Sequence, residues 1–341
     1  MIEHMSDWQV MDADGHIAED EDDVCSFLRA PYGGRKRFFA AWPSLDGRFR
    51  SPDVTETDAK LWGGFLDHAG IRAAVVYPTS GLAHGLIQDR EWAVALAAAY
   101  NDWIQARYSS HDPRLHGVAL LSPQDVGASV RELRRAVKEL GAVGGLLPAV
   151  TYNNAVFGEE TYWPIYEEAV TLDKPIVFHG APQTGLGLEC FASHIEAHVL
   201  EHAIPQFKQM VSVIYQGVLE AFPKLRLGFL EAGAGWLPYI ADRMDYEYAA
   251  RPGKSGIKRR PSDYLQAGNV YLACEPEEPG LAYAVQRFGD NPFLYPTDFP
   301  HELAYDQYLE DLDEFKERAD LPLQTRQAIL WDNPRRFYGM D

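Results

Sequence analysis

The feature that most constrains this chain is a rhythm: short apolar runs alternate with longer amphipathic stretches along its length. The short runs fall at residues 9–17, 71–78, 115–121, 142–149, 174–181, 225–233, 269–276 and 293–300. Several of them, such as Ala73-Ala74-Val75-Val76 and Ile176-Val177-Phe178, carry no polar alternation. A strand that is apolar on both faces belongs to a parallel sheet covered on both sides. The spacing predicts helices between them over residues 58–68, 90–109, 127–140, 159–172, 196–222, 236–250, 280–288 and 302–319, with a last one at 323–330. Eight strands, each followed by a helix, is the count of an α/β fold of the closed (β/α)8 TIM-barrel type. An open doubly wound sheet is the alternative. It wants a glycine-rich phosphate turn after an early strand, and the sequence has neither that turn nor a P-loop. The whole of residues 1–341 is expected to form one barrel domain. Insertions after strands one and five, at about 20–52 and 182–215, lie on the strand-to-helix side, where barrel enzymes build their sites, and are expected to form a lid or substrate pocket.

Charge narrows the partners. Lysine and arginine number 31 against 50 aspartates and glutamates, a net charge of −19. A surface this acidic repels phosphate backbones, so neither nucleic acid nor an anionic membrane is expected as a partner. No run of about 18 apolar residues occurs, and no basic segment leads into an apolar stretch, so neither a membrane span nor a signal peptide is expected. Three widely spaced cysteines, Cys25, Cys190 and Cys274, make no disulfide framework and no zinc module, which fits a cytoplasmic protein. One stretch, residues 251–261 (RPGKSGIKRRP), is basic against this background. It reads as a solvated loop or as a contact for an anionic substrate tail.

Polar residues able to bind metals cluster at the strand ends. Strand one ends Asp12-Ala13-Asp14-Gly15-His16, and alternation places Asp12, Asp14 and His16 on one face. Strand five ends in His179, strand six carries Glu231, and strand eight carries Asp298 followed by His301. Each has an ordinary explanation alone: a hydrogen-bonded packing histidine, a buried salt-bridge partner, a helix N-cap. Together they would place several acidic and imidazole groups around one barrel mouth. That is costly without a neutralising divalent cation. Such donors suit Zn, Mn, Fe or Ni.

The strand-one D-x-H, the strand-five FHG, the strand-six LEAGAGWLPYIADRMD, the strand-eight TDFPH and the terminal DNPRRFYG together resemble the amidohydrolase superfamily. More narrowly, they resemble its amidohydrolase-2 branch, which holds the aminocarboxymuconate-semialdehyde decarboxylase-like enzymes. The resemblance covers nearly the whole chain in order. It implies a metal held by Asp14, His16, His179 and Asp298, with His301 beside it. Asp14 stands where the branch has a first histidine, and Glu231 where decarboxylase members have a histidine that polarises substrate or water. No lysine ends strand four, so the superfamily's carbamylated-lysine bridge is not expected. Glu19, three residues after His16, adds a further carboxylate. With Glu231 as a bridge, the site could hold one or two ions of Fe, Zn or Mn. The stretch 193–206 (SHIEAHVLEHAIPQ) adds His194, and places His198 and His202 one helical turn apart. They read as a metal pair or as a substrate-contacting face, with His202 the better site residue. His84 and Glu275 are lesser candidates.

The leading expectation is metal-dependent hydrolysis of an amide, ester or thioester by metal-activated water, with Asp298 accepting the proton and His301, His179 or His202 assisting. The alternative is non-oxidative decarboxylation of an aromatic or unsaturated acid. There Arg35, Arg37, Arg48 or Arg50 would grip a carboxylate, and Phe38, Phe39 and Trp42 would suit a flat apolar body. Arg35, Arg37, Trp42 and His198 are the candidate substrate contacts. A barrel that binds without turnover is a third reading. A small-molecule substrate and a homodimer complete the expected partners.

Overall fold

The computed structural model describes residues 8–34, 37–44, 57–181, 186–301 and 304–340. Nine short parallel segments form the sheet: β1 Met11–Ile17, β2 Ala73–Pro78, β3 Leu115–Gly117, β4 Ala119–Leu120, β5 Gly145–Pro148, β6 Ile176–His179, β7 Leu227–Leu230, β8 Val270–Ala273 and β9 Phe293–Leu294. They pair in sequence order, β1-β2-β3 and β4 through to β9, with every pair parallel. β3 and β4 are halves of the single expected third strand, interrupted at Val118. The amides of Val143 and Ala119 bond across to Gly117 O and Gly144 O and carry the sheet past the break. At the other seam, Ala13 N donates to Tyr295 O at 2.9 Å, His16 N to Phe299 O at 2.7 Å and Asp298 N to Asp14 O at 2.9 Å. These bonds join the first strand to the chain beyond β9. The fold is the (β/α)8 barrel expected from the apolar rhythm.

The helices form where the sequence supplies their ends. Asp58, Asp89 and Asp125 each turn a side-chain oxygen onto an early amide of the helices Ala59–Ala69, Arg90–Ile104 and Val126–Leu140. Two expected helices differ in outline. The predicted run 196–222 is three pieces, His194–Glu201, Ala203–Tyr215 and Val218–Ala221, with breaks at His202 and at Gln216-Gly217. The piece Ala203–Tyr215 is pinned over the strand ends by buried glutamines. Gln206 Nε2 donates to Phe178 O and Leu230 O at 2.8 and 2.7 Å, and Gln209 Nε2 to Ala149 O at 2.9 Å. The last helix does not stop at 330: the chain passes through a π turn and ends in Asn333–Tyr338.

That terminal helix closes the barrel floor. Phe337 packs where Gly228 of β7 has no side chain; a Cβ there would meet the Phe337 ring at 2.6 Å. Tyr338 Oη donates to Ala13 O at 2.7 Å and pairs with Tyr77 Oη at 2.6 Å. The Tyr77 ring lies against the His16 and His179 rings, with centroids 6.3 and 5.4 Å away. The floor is therefore aromatic, and the polar residues gather at the opposite rim. Among the described residues no helix is long and apolar enough to cross a membrane.

Candidate active site

β1 delivers Asp14 and His16, but not Asp12. The pairing with β2 shifts register between Asp12 and Gly15. This irregularity turns Asp12 to the side of Gly15, where a Cβ would lie 2.8 Å from Asp12 Oδ2. Asp12 instead accepts from Asp14 N, Thr297 N and Thr297 Oγ1, tying β1 to the end of the last barrel strand. Simple alternation therefore misplaces it. The bulge is the physical reason.

His16 is fully buried. Its Nδ1 lies 3.1 Å from Pro78 O, so that nitrogen carries the proton and Nε2 turns its lone pair inward. Burial, with His301 and His179 nearby, holds the His16 imidazole well below its usual value. His179, at the end of β6, sets Nδ1 2.7 Å from Gly180 O and 3.1 Å from Glu231 Oε2. Its Nε2 faces Asp14 Oδ1 at 3.1 Å. Burial opposes charge on His179, but Asp14 and Glu231 more than offset it and raise its affinity for a proton. Burial pushes the Asp14 carboxyl up to about 6, against the pull of His179. Glu231 and Asp298 both occupy the left-handed region, at φ +55° and +56°. Non-glycine residues rarely adopt it. Asp298 Oδ1 lies 2.9 Å from His301 Nδ1 and 3.4 Å from His16 Nε2. His301 Nε2 lies 2.8 Å from Thr79 Oγ1, and its ring stacks on His16 at 4.0 Å.

Two donor groups result, and they share His16. In each, one atom per residue lies within 4.8 Å of the others: His16, Glu231, Asp298 and His301, and Asp14, His16 and His179. His16 Nε2 is buried with no hydrogen-bond partner, and the buried oxygens beside it meet only imidazoles: Glu231 Oε2 lies 3.1 and 3.3 Å from His179 and His202, and Asp298 Oδ1 2.9 and 3.4 Å from His301 and His16. Buried carboxylates crowded with imidazoles are costly without a further charge, and their convergence from three strands fits a divalent cation. Hard carboxylates and imidazoles are the donor types such an ion takes.

The other predicted residues fall elsewhere. Glu19 is engaged as a loop clamp. Its oxygens accept from the amides of Thr79, Ser80 and Gly81 at 3.1, 2.9 and 2.8 Å. Arg37 is held by Glu21 Oε2, Asp22 Oδ1 and Phe39 O, so it orders the insertion and does not reach the mouth as a substrate grip. Trp42 is buried, with Nε1 donating to His84 Nδ1 at 3.2 Å, and His84 Nε2 in turn faces Ser122 Oγ at 3.0 Å. These are packing contacts, and burial holds the His84 imidazole down at about 3. Arg35, Arg48 and Arg50 lie outside the described residues. Glu275 follows β8, and burial with Asp298 nearby pushes its carboxyl up to about 8. His198 and His202 do share a face beside the rim. Sequence reading missed Thr79, which seats His301; its signal is only its position directly after β2.

A parallel barrel whose carboxylates and imidazoles meet at the C-terminal rim has the donor arrangement that metal-dependent barrel enzymes use. The amidohydrolase family profile matches residues 53–340, and the chain belongs to that family, as its strand-end motifs imply. A gamma-resorcylate decarboxylase of Polaromonas is 26% identical over 317 residues, covering 88% of this chain and 91% of its own. A 2-amino-3-carboxymuconate-6-semialdehyde decarboxylase of Dictyostelium discoideum is 26% identical over 255 residues, covering 73% of this chain and 68% of its own. A 5-carboxyvanillate decarboxylase of Novosphingobium aromaticivorans, solved with manganese bound, superposes with a TM-score of 0.77 at 20% identity, covering 98% of this chain and 97% of that one. These relatives overturn the expectation of hydrolysis of an amide, ester or thioester: they are decarboxylases, lyases that release CO2.

Proposed function

We propose that this chain is a metal-dependent, non-oxidative decarboxylase of an aromatic or unsaturated carboxylic acid. The observation that carries the reading is that His16 belongs to two adjoining donor groups, one with Asp14 and His179 and one with Asp298, Glu231 and His301, in a chain whose relatives are decarboxylases. Asp14, His16, His179 and Asp298 would hold the cation, and manganese is the ion to try first, since it is the metal bound in the carboxyvanillate enzyme. When bound, a divalent cation supplies positive charge that orients the substrate's carboxylate and an adjacent oxygen and steadies negative charge during bond cleavage.

The protein's own groups supply the rest. Pro78 O and Gly180 O fix the two ring orientations, so each histidine presents Nε2 inward. Glu231 backs His179 from the outside, as a positioning residue. The substrate loses its C–C bond to the carboxylate. CO2 leaves, the bonding pair stays on the carbon, and that carbon then takes one proton. Asp298 and His301 share a proton across 2.9 Å at the open rim and are the pair placed to deliver it. Thr79 keeps His301 in register for that transfer.

The test incubates manganese-loaded protein with a panel of hydroxybenzoates and unsaturated dicarboxylates and traps the gas. One CO2 per molecule of decarboxylated product, falling at least about 100-fold in His179→Ala and in Asp298→Asn, supports the reading. Conversion of the unsaturated acids by water addition without CO2, or acid release from amides and esters with the panel untouched, overturns it.

A further inference from the structure

Beside the rim lies a second constellation that the decarboxylation does not use. The helix His194–Glu201 and the junction that follows it carry His198, Glu201 and His202, at spacings of three and four residues that stack them on one face. One donor atom of each lies within 4.8 Å of the others. His198 Nδ1 is 2.8 Å from Glu201 Oε1, and the two imidazole rings stand edge to face at 5.0 Å. Glu201 is a carboxylate with its side chain only 5% exposed, a costly place for a charge with imidazoles as its neighbours.

The observation that points to a ligand is His202. Its Nε2 is buried with no hydrogen-bond partner, and its Nδ1 meets only Glu231 Oε2, at 3.3 Å. The chain makes room for this approach: at Gly180 a Cβ would meet Glu231 O at 2.7 Å and His202 Cβ at 3.2 Å, so only glycine lets the end of β6 and the helix junction come together.

We propose that His198, Glu201 and His202 form a second divalent-cation site, separate from the Asp14–His16–His179–Asp298 centre, with Glu231 lying between the two. Two imidazoles and a carboxylate oxygen, with water in the fourth position, are a donor set that suits Zn2+. The ion ties the last turn of the helix His194–Glu201 to the junction at His202, so this wall of the mouth is cross-linked by metal as well as by packing. The site stands or falls independently of the reaction assigned to the barrel.

The experiment measures bound metal. Untagged protein is stripped with chelator, equilibrated with Zn2+, freed of excess and analysed for zinc per protomer. The expected result is about two equivalents in the unaltered chain and about one in His198→Ala, with about one also remaining in Asp14→Asn. Loading with Co2+ gives a second readout: a visible absorption band that His198→Ala loses and Asp14→Asn keeps. One equivalent that Asp14→Asn loses and His198→Ala retains overturns the proposal, as do two equivalents unchanged in His198→Ala. One equivalent lost only in His198→Ala supports this site and sinks the Asp14–His16–His179–Asp298 centre instead. His198 is 34% exposed, and circular dichroism checks that its replacement leaves the fold intact.

Discussion

Gly15 separates the two β1 side chains that face the rim, and its lack of a side chain is what lets Trp62 cover the strand. A Cβ there would meet Trp62 Cη2 at 2.3 Å and Asp12 Oδ2 at 2.8 Å, and Trp62 Nε1 donates to His16 O at 3.1 Å. Overpacking at such a point costs about 1–3 kcal/mol. Gly15→Ala should lower the free energy of urea unfolding by that amount. It should also weaken manganese binding, read by chelator competition, because Asp14 and His16 move with the strand. An alanine that left both unchanged would show that Trp62 gives way freely. At this scale the sequence was a partial guide. Asp14, His16, His179 and Asp298 were legible because each lies in or just beyond a recognisable apolar strand. Asp12 was not, because a register shift is invisible in a pattern of alternation. Glu19 was not, because its partners are backbone amides about 60 residues away, and amides carry no sequence signature.

Elements show the same division between local and distant causes. The parallel strands and most helices announce themselves by apolar content and by aspartate caps. The breaks at His202 and Gln216 do not, since tertiary bonds from Gln206 and Gln209 hold the pieces in place. Gln206→Leu removes the donor from two buried carbonyls, Phe178 O and Leu230 O, and should cost about 1–3 kcal/mol by chemical denaturation; a change below experimental error would mean that water replaces the amide. The helix Glu21–Ser26, missed in the first insertion, is tied to the barrel through Asp23. Arg107 binds both Asp23 oxygens at 2.7 Å, and Trp103 Nε1 donates at 2.7 Å. The Arg107 bond holds this carboxyl below the usual carboxylate range, against the effect of burial. An aspartate with a depressed folded-state value adds stability above its unfolded value of about 3.9, and that stability is lost as pH falls through the folded value. The stability gap between the unaltered chain and Asp23→Asn should be widest near neutral pH and close below about pH 4 in urea titrations. A gap that grew on acidification would contradict the assignment.

For the molecule as a whole, the proposed cation would make stability conditional on metal, since buried carboxylates and imidazoles crowd the rim. A cation present at about 100 times its dissociation constant adds roughly 2.7 kcal/mol to the native state. Chelation should therefore lower the thermal midpoint by several degrees, and manganese should restore it; calorimetry with and without chelator decides. An unmoved midpoint would mean the carboxylates and imidazoles balance one another without metal. The net charge of −19 makes the same experiment sensitive to salt, since a self-repelling surface is screened as ionic strength rises.

The hydrogen bond from Tyr338 to Ala13 joins positions 325 apart. A growing polypeptide still on the ribosome has no floor beneath its imidazoles until residue 338 has emerged, whatever has already formed above. Completion of the candidate site is thereby postponed until nearly all of this stretch has been translated, and until then the apolar lining of the unfinished cylinder is open to other chains.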